Sequence, residues 1–234
     1  MQNNTCTWTI IEKTPEVQGV TSIVLEAKGE RPDFIAGQYL TVRLPDFEPI
    51  EGKSYSISSS PHETYLTLTI KEMGNFSRAI LALEIGTELT TSLPYGFFYP
   101  DTPLPSHLVF IAGGIGITPC MSIIRDLTHG ESAPQVTLFY SSRTRESIIF
   151  RDELALLDEQ FPALTVHHFI TRETIEETEH LHNARISRGT FTHIPQPHDT
   201  DFFICGSTDF TKNMWSLLRT ANIPQTKIYT EGFF

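Results

Sequence analysis

The chain has 234 residues, of which 39% are hydrophobic and 19% are charged, and its formal net charge at pH 7 is −11. This composition provides apolar material for one large or two small hydrophobic cores and excludes an intrinsically disordered chain. The negative charge argues against nucleic acid as a partner, because the phosphate backbone would be repelled.

The N-terminal residues lack the basic and apolar regions of a signal peptide, and no run approaches the roughly 20 apolar residues that a bilayer-spanning helix needs. We therefore expect a cytoplasmic protein without a membrane span. The cysteines Cys6, Cys120 and Cys205 are far apart and odd in number. This pattern argues against a disulfide framework and against a plant-type iron–sulfur cluster, which needs four cysteine ligands.

The first part of the chain alternates β-branched and aromatic residues with polar ones, in short segments that glycine and proline separate. This alternation predicts the strands of an antiparallel sandwich or closed barrel. One short helix is predicted at Asn75–Leu83. The predicted strands are Thr7–Ile11, Thr21–Ala27, Tyr39–Leu44, Ser54–Ser58, Tyr65–Lys71 and Glu88–Leu93.

Prolines cluster at positions 94, 100, 103 and 105, where neither a strand nor a helix continues easily. We place a linker at residues 100–106, between one domain at residues 1–99 and a second at residues 107–234.

In the second domain, nearly continuous apolar strands alternate with helices, which predicts a doubly wound parallel sheet. The Glu- and Thr-rich stretch Thr171–His182 is predicted to be a mobile loop. The predicted strands are Leu108–Ala112, Val136–Tyr140, Leu164–Ile170, Phe202–Cys205 and Ile228–Thr230, and the predicted helices begin at Pro119, near Ser147 and near Asp209.

The most specific signal is the run Ala112–Pro119, directly after the first strand of the second domain. Gly114 and Gly116 allow a tight turn without Cβ atoms against a ligand, Thr118 is placed to cap the following helix, and Pro119 suits its first turn. Backbone amides and the helix dipole then face an anion, as in dinucleotide-binding sites. Pro119 replaces the last glycine of the usual GxGxxG, and such turns also occur for purely structural reasons.

Two segments of the first domain indicate a flavin site. The ring of Tyr55 can lie against an isoalloxazine, the hydroxyl of Ser56 can hydrogen-bond the ring N5, and the charge of Lys53 can neutralise a pyrophosphate. Gly74 and Ser77 stand at the N-terminus of the predicted helix, where amides and a hydroxyl can hold the same pyrophosphate. Taken alone, each of these residues is ordinary strand or turn composition.

The order of these motifs resembles the ferredoxin–NADP reductase superfamily, and the resemblance covers nearly the whole chain. It implies the two-domain form without an iron–sulfur or globin domain: an antiparallel six-stranded flavin-binding barrel followed by a doubly wound parallel-sheet nucleotide-binding domain. The matching segments are Phe34–Tyr39, Lys53–Ser56, Gly74–Ser77, Pro94–Phe97, Gly113–Pro119, Cys205–Gly206, and Glu231 with Phe233.

The resemblance further implies an FAD-dependent NAD(P)H oxidoreductase. A hydride passes from NADPH or NADH to the flavin, and electrons go on to a separate acceptor protein, which is a ferredoxin, an oxygenase or a haem protein. Catalytic roles are implied for Ser56 near the flavin N5, for Cys205 beside the nicotinamide, and for Glu231 in protonation or orientation there.

The resemblance also implies a set of cofactor-binding residues. They are Lys53, Ser54, Tyr55, Ser56, Ile70, Lys71, Gly74, Asn75, Phe76, Ser77, Gly113, Gly114, Gly116, Thr118, Pro119, Ser142, Arg143, Cys205, Gly206, Phe233 and Phe234. Phe233 or Phe234 is expected either to cover the flavin or to plug the interface between the domains. No metal site is expected, because His167 and His168 lack a carboxylate at ligand spacing, and Cys120 is expected to be structural despite its place in the first turn of a helix.

The sequence leaves open which flavin and which nicotinamide nucleotide are bound. Lys53 stands where the family usually has Arg, so the charge is kept but the bidentate fork is lost, and FMN or a loosely held flavin becomes an alternative to FAD. Arg143 suits a 2′-phosphate, with Arg172 and Arg185 in neighbouring loops, which slightly favours NADPH over NADH. Besides electron transfer to a partner, the alternatives are reduction of free flavins and a non-catalytic nucleotide-binding module.

Overall fold

The computed structural model describes residues 5–45, 47–130, 133–191, 194 and 199–233. It contains two compact units, one formed by Met1–Tyr99 with Met121–His129 and the other by Pro100–Cys120 with Gly130–Phe234. Within the described residues, no helix combines the length and the apolar character needed to cross a bilayer.

The first unit is built on an antiparallel sheet of six strands in the order β4-β3-β6-β1-β2-β5. A bridge between Ile57 and Leu68 links the chain after β4 to β5, so that the two ends of the sheet meet. The predicted six-stranded antiparallel sheet is confirmed. Its elements are β1 (Thr5–Val17), β2 (Val20–Ala27), β3 (Tyr39–Arg43), β4 (Lys53–Ser56), β5 (Leu66–Lys71), helix α1 (Asn75–Ala82) and β6 (Glu88–Ser92).

The core of this unit follows from the alternation of the strands, because every second side chain points to the same face. Trp8 is fully buried, and its indole Nε1 donates a hydrogen bond of 2.8 Å to Thr91 Oγ1, so the polar atom of this large side chain is satisfied. Helix α1 buries Phe76 and Ile80, which are four residues apart and therefore on one face.

The second unit is built on a parallel sheet in the order β10-β9-β8-β7-β11-β12. A 3₁₀ turn at Gly114–Gly116 joins β7 to α2, whose residues from Met121 onward belong to the first unit. The predicted doubly wound parallel sheet is confirmed. Its elements are β7 (His107–Gly113), α2 (Ile117–Leu127), β8 (Gln135–Ser142), α3 (Arg151–Gln160), β9 (Leu164–Ile170), β10 (Leu181–His182), β11 (Thr200–Ser207), α4 (Thr208–Thr220) and β12 (Ile228–Phe233).

The strand order creates a switch point between β7 and β11. From β7 the chain builds outward through β8 and β9 on one side, and then through β11 and β12 on the other. These two central strands are buried along almost their whole length, which explains their continuous apolar sequence. In open parallel sheets of this kind, ligands bind where the strand order reverses, outside the carboxyl ends of the strands.

The stretch Thr171–His182 differs from the predicted mobile loop, because it ends in a short strand. Leu181 and His182 form β10 and pair with His168 and Phe169 of β9, and His168 N donates a hydrogen bond of 2.8 Å to the His180 carbonyl. The strand was not predicted because two residues are too few to show an alternation and the rest of the stretch is rich in Glu and Thr.

The new strand brings histidines together at the edge of the sheet. The His167 and His182 rings stack, with His167 Nδ1 3.3 Å from His182 Nε2, and the His180 ring lies 5.0 Å from the His167 ring. On β9, burial is the main reason that the pKa of His167 is lowered and the pKa of His168 falls to about 4. Among the described residues, no group of three His, Cys, Asp or Glu side chains is arranged to hold a metal ion.

We expect the second unit to lose stability as the pH falls from about 6.5 to about 4. The folded state keeps His168 neutral with a pKa of about 4, whereas the unfolded chain protonates it near 6.5, so protons favour unfolding over this range. His168→Gln should remove on the order of 2 kcal/mol of this pH dependence in urea unfolding. The exposed His129→Gln is the control, and an identical pH profile in all three proteins would contradict the prediction.

Candidate functional site

The glycine loop after β7 is pressed against the end of β11. A Cβ atom on Gly116 would lie 2.2 Å from the Cys205 carbonyl oxygen, and one on Gly206 would lie 2.6 Å from the Phe210 ring. Gly114 differs, because its φ is +54° and a Cβ there would meet nothing within 4 Å. Gly116 and Gly206 are therefore required by close packing, whereas Gly114 turns the chain and leaves its outer side open.

Helix α2 begins directly after this loop, two residues earlier than predicted. Thr118 is its second residue, and its hydroxyl donates a hydrogen bond of 3.0 Å to the Ile115 carbonyl. The prediction that Thr118 caps the helix is therefore wrong, since its side chain bonds a preceding carbonyl from inside the first turn. Pro119 is the third residue, where the missing N–H is not needed.

Two buried thiols and one carboxyl group meet beside the loop. Cys205 is paired with Glu231 in the register of β11 and β12, and its side chain is fully buried. Burial, and then the charge of Glu231, raise the pKa of Cys120 far above its ordinary range, and burial also raises the pKa of Cys205. Both thiols are therefore neutral, although Cys120 lies in the first turn of a helix.

The carboxyl end of β8 carries the residues predicted to select the nucleotide. Ser142 is buried, its carbonyl accepts a hydrogen bond of 3.1 Å from Thr171 N, and Arg143 directly after it is exposed. The Arg143 carbonyl accepts from Arg172 N at 2.9 Å. The backbone therefore holds Arg143 and Arg172 side by side. Glu173 accepts a hydrogen bond from Arg145 N at 2.8 Å, so the same edge also contains a carboxylate.

Tyr140 is a residue of this site that the sequence analysis missed. It lies on β8, is fully buried, and donates a hydrogen bond of 3.0 Å from Oη to the Gly114 carbonyl. Ile149 N donates to the same hydroxyl at 3.3 Å. The available signal was a tyrosine within a continuous apolar strand, because a buried phenol needs a polar partner.

In the first unit, the predicted flavin residues of β4 and α1 come together. The Lys53 ammonium lies 6.0 Å from the centre of the Phe76 ring, and Phe76 is in the first turn of α1. The first amides of a helix have no acceptor within the helix, and its dipole adds partial positive charge there. Lys53 and the N-terminus of α1 therefore create one region of positive potential.

The remaining residues of β4 differ in exposure. Tyr55 is partly buried against the core, and burial raises the pKa of its phenol to about 12. Ser56 is buried and is opposite Tyr39 in the register of β3 and β4. Ser54 is exposed, with its hydroxyl 3.1 Å from Thr41 Oγ1.

The hydroxyl of Ser77, which is predicted to hold a ligand, makes two hydrogen bonds within the turn between β5 and α1. The Ser77 hydroxyl accepts a hydrogen bond of 2.8 Å from Met73 N and donates one of 3.1 Å to the Gly74 carbonyl. Gly74 has a φ of +148°, and a Cβ atom there would meet nothing within 4 Å. The hydroxyl thus shapes the turn, and the amides that follow Gly74, starting at Asn75, are the groups presented at the helix end. Ile70 is buried and Lys71 is exposed at the end of β5.

At the chain end, Phe233 is the last residue of β12 and is partly buried, paired with Ser207 of β11. Its carbonyl is 3.5 Å from the Thr208 hydroxyl. Phe234 lies outside the described residues. The predicted shielding by Phe233 or Phe234 therefore stays a prediction.

In a comparison with known proteins, most of the second unit matches a protein-family model. Residues 110–215 match the model described as "Oxidoreductase NAD-binding domain", which includes the glycine loop, the end of β8 and Cys205. Among curated relatives, the flavohemoprotein of Bacillus subtilis is 28% identical over 233 residues, covering 96% of this chain and 58% of the relative. The ferredoxin reductase component of 3-ketosteroid-9-alpha-monooxygenase from Rhodococcus rhodochrous is 29% identical over 232 residues, covering 96% of this chain and 63% of the relative.

A solved ferredoxin NADP⁺ reductase from Neisseria gonorrhoeae, with bound FAD and NADP, superposes with a TM-score of 0.83 at 20% sequence identity. That match covers 100% of each chain, so both sheets have counterparts in the solved structure. The present chain spans only 58% to 61% of the length of the flavohemoproteins that it matches.

We expect Gly116→Ala to destabilise the second unit by about 2 to 4 kcal/mol, because the added Cβ would overlap a main-chain carbonyl that cannot move without distorting β11. Gly232→Ala is the matched control, since a Cβ atom there would meet nothing within 4 Å, and it should change stability by less than about 0.5 kcal/mol. Urea unfolding of both variants tests the close approach, and equal stability of the two would disprove it.

Proposed function

We propose that this chain, which resembles the ferredoxin–NADP reductase superfamily, is an FAD-dependent oxidoreductase that takes a hydride from NADPH or NADH and passes electrons to a separate acceptor protein. The observation that carries the proposal is the glycine loop at the switch point of the parallel sheet, with Gly116 in contact with the end of β11. A glycine-rich turn at this place lets the main chain approach the pyrophosphate of a dinucleotide closely.

The first unit supports FAD binding through the pairing of Lys53 with the N-terminus of α1. A pyrophosphate needs positive charge and amide donors in one place; the Lys53 ammonium lies 6.0 Å from the centre of the Phe76 ring, and Phe76 is in the first turn of α1, where the free amides are. Tyr55, which is partly buried, offers a flat ring beside them for an isoalloxazine to stack on. The chain's residues therefore fit the cofactor.

The second unit supports nucleotide binding in a similar way. The open side of Gly114 accepts a pyrophosphate without steric conflict, and α2 follows at once with its positive end. At the end of β8, Arg143 and Arg172 supply positive charge for a 2′-phosphate. On this basis NADPH is preferred to NADH.

When bound, the flavin supplies the redox chemistry, accepting a hydride from the reduced nicotinamide and releasing electrons to an acceptor. The protein's part is to hold and orient both molecules. Ser56 provides a hydroxyl on β4 for the flavin ring. Cys205, kept neutral by burial, provides a small polarizable side chain beside the nicotinamide that does not attack it, and Cys120 stays structural. Glu231 is the carboxyl group that orients the nicotinamide.

The acceptor is proposed to be a separate protein, because the similar protein of Rhodococcus rhodochrous is named as the ferredoxin reductase component of a monooxygenase. The test is to purify the protein, record the flavin spectrum, and add NADPH or NADH without oxygen. A yellow protein that bleaches and then reduces cytochrome c supports electron transfer. Bleaching of added flavin alone supports free-flavin reduction. A colourless protein that shows no reaction with added FAD and nucleotide would support a non-catalytic module.

We expect Lys53→Ala to release flavin and Lys53→Arg to retain it at least as well as the wild type. The ammonium group supplies charge to the proposed pyrophosphate site, and a guanidinium adds a bidentate fork. The measurement is the flavin-to-protein absorbance ratio after gel filtration. Lys28→Ala is the matched control, because this exposed lysine of the same unit pairs with Glu88. Full flavin retention by Lys53→Ala would refute the assignment.

We expect Arg143→Ala to raise KM for NADPH by about tenfold to a hundredfold and to leave KM for NADH nearly unchanged, because only NADPH carries the 2′-phosphate. The measurement is the steady-state rate with each nucleotide. Arg151→Ala is the control, since this exposed arginine of the same unit pairs with its neighbour Asp152. An equal effect on both nucleotides would remove Arg143 from this role.

A further inference from the structure

The Tyr140 hydroxyl connects two loops that follow adjacent strands. It donates to the carbonyl of Gly114 at 3.0 Å, in the loop after β7, and accepts from Ile149 N at 3.3 Å, in the segment after β8. The ring is fully buried, and burial raises the pKa of the phenol far above its ordinary range. The hydroxyl therefore stays protonated around neutral pH and donates to Gly114.

The Gly114 carbonyl is held from two directions. Besides Tyr140 Oη, the Ile117 N–H at the start of α2 donates to it. A carbonyl oxygen has two lone pairs, so both of its acceptor positions are in use. The peptide plane between Gly114 and Ile115 is thereby fixed in rotation, although Gly114 itself has a φ of +54° and no side chain to restrict it.

Fixing this carbonyl also fixes the amide on the other side of the same plane. In a trans peptide the C=O and the following N–H point in opposite directions. The Ile115 N–H therefore points away from Tyr140. A Cβ on Gly114 would meet nothing within 4 Å, so the loop is open on its outer side at this glycine.

We propose that Tyr140 is a positioning residue for dinucleotide binding: its hydroxyl aims the Ile115 amide at the pyrophosphate of the nucleotide. This inference rests on the proposed function, because it needs a dinucleotide at the glycine loop. It adds a buried side chain that touches no ligand and acts through the Gly114–Ile115 peptide. Because the same hydroxyl accepts from Ile149 N, it also ties this peptide to the segment that begins with Arg143.

The test compares Tyr140→Phe with Tyr229→Phe. Each substitution removes one phenolic hydroxyl from a ring in the second unit, but Tyr229 bonds Asp101 Oδ2 at 3.0 Å instead of the glycine loop. In stopped-flow reduction of the yellow protein by NADPH and by NADH, Tyr140→Phe should raise the half-saturating nucleotide concentration about tenfold. The rate at saturation should change less than twofold, and Tyr229→Phe should match the wild type.

A second variant separates positioning from a general loss of structure. If 4-aminophenylalanine in place of Tyr140 restores a donor at the same point of the ring, it should recover most of the nucleotide affinity, whether or not Tyr140→Phe folds. Unchanged half-saturation in Tyr140→Phe overturns the proposal, and so does a loss that the amino analogue fails to restore. A wild-type protein that is not reduced by either nucleotide would overturn the proposed function itself, a result visible before any variant is made.

Discussion

The contact between Gly116 and the Cys205 carbonyl is the constraint on which the arrangement of the second unit depends. With only 2.2 Å between the carbonyl oxygen and the place of a Cβ, the loop after β7 lies directly on the end of β11. That approach brings the start of α2 to the switch point of the sheet, and it closes Cys120 and Cys205 off from solvent. A side chain at position 116 would push the loop after β7 away from the end of β11. It would thereby displace the N-terminus of α2, which carries the positive end of the helix dipole.

The two units solve the same electrostatic problem in different ways. A chain with a formal net charge of −11 repels anions at long range, so binding a pyrophosphate requires positive potential concentrated within a few ångströms. The first unit combines a side-chain cation, Lys53, with the end of helix α1. The second unit presents main-chain amides at the loop and places Arg143 and Arg172 side by side at the end of β8. Helix ends suit this purpose, because their field acts over about one turn and is little affected by the distant surface charge.

The sequence predicted the strands and helices well where periodicity or continuous burial determined them, as in β5, β9 and α4, and the fold inferred from the motif order is confirmed. Other features could not be read from residue types. Thr118 matched a capping residue, but the helix starts before it, because the 3₁₀ turn at Gly114–Gly116 continues directly into α2. Ser77 is predicted to bind a ligand, but the sequence did not reveal the two hydrogen bonds that its hydroxyl makes in the turn around Gly74. The strand β10 is too short to show a pattern. In each case the outcome depends on where backbone partners lie in space, which a linear motif does not record.

The hydrogen bonds of Tyr140 connect the glycine loop with the segment after β8, so that the two are not independent parts. Arg143 follows Tyr140 by three residues, and the segment after it returns to the Tyr140 hydroxyl through Ile149 N. A displacement of that segment therefore alters the polar environment of the Tyr140 hydroxyl, which holds the Gly114 carbonyl. A change at Gly114 likewise affects the segment after β8 through the same hydroxyl. Interaction energies between residues that share a hydrogen-bond partner are generally not additive. If the proposed nucleotide site is correct, recognition at the pyrophosphate and at the ribose is coupled through one buried phenol, so that a substitution after β8 that alters nucleotide choice also alters affinity for the shared pyrophosphate.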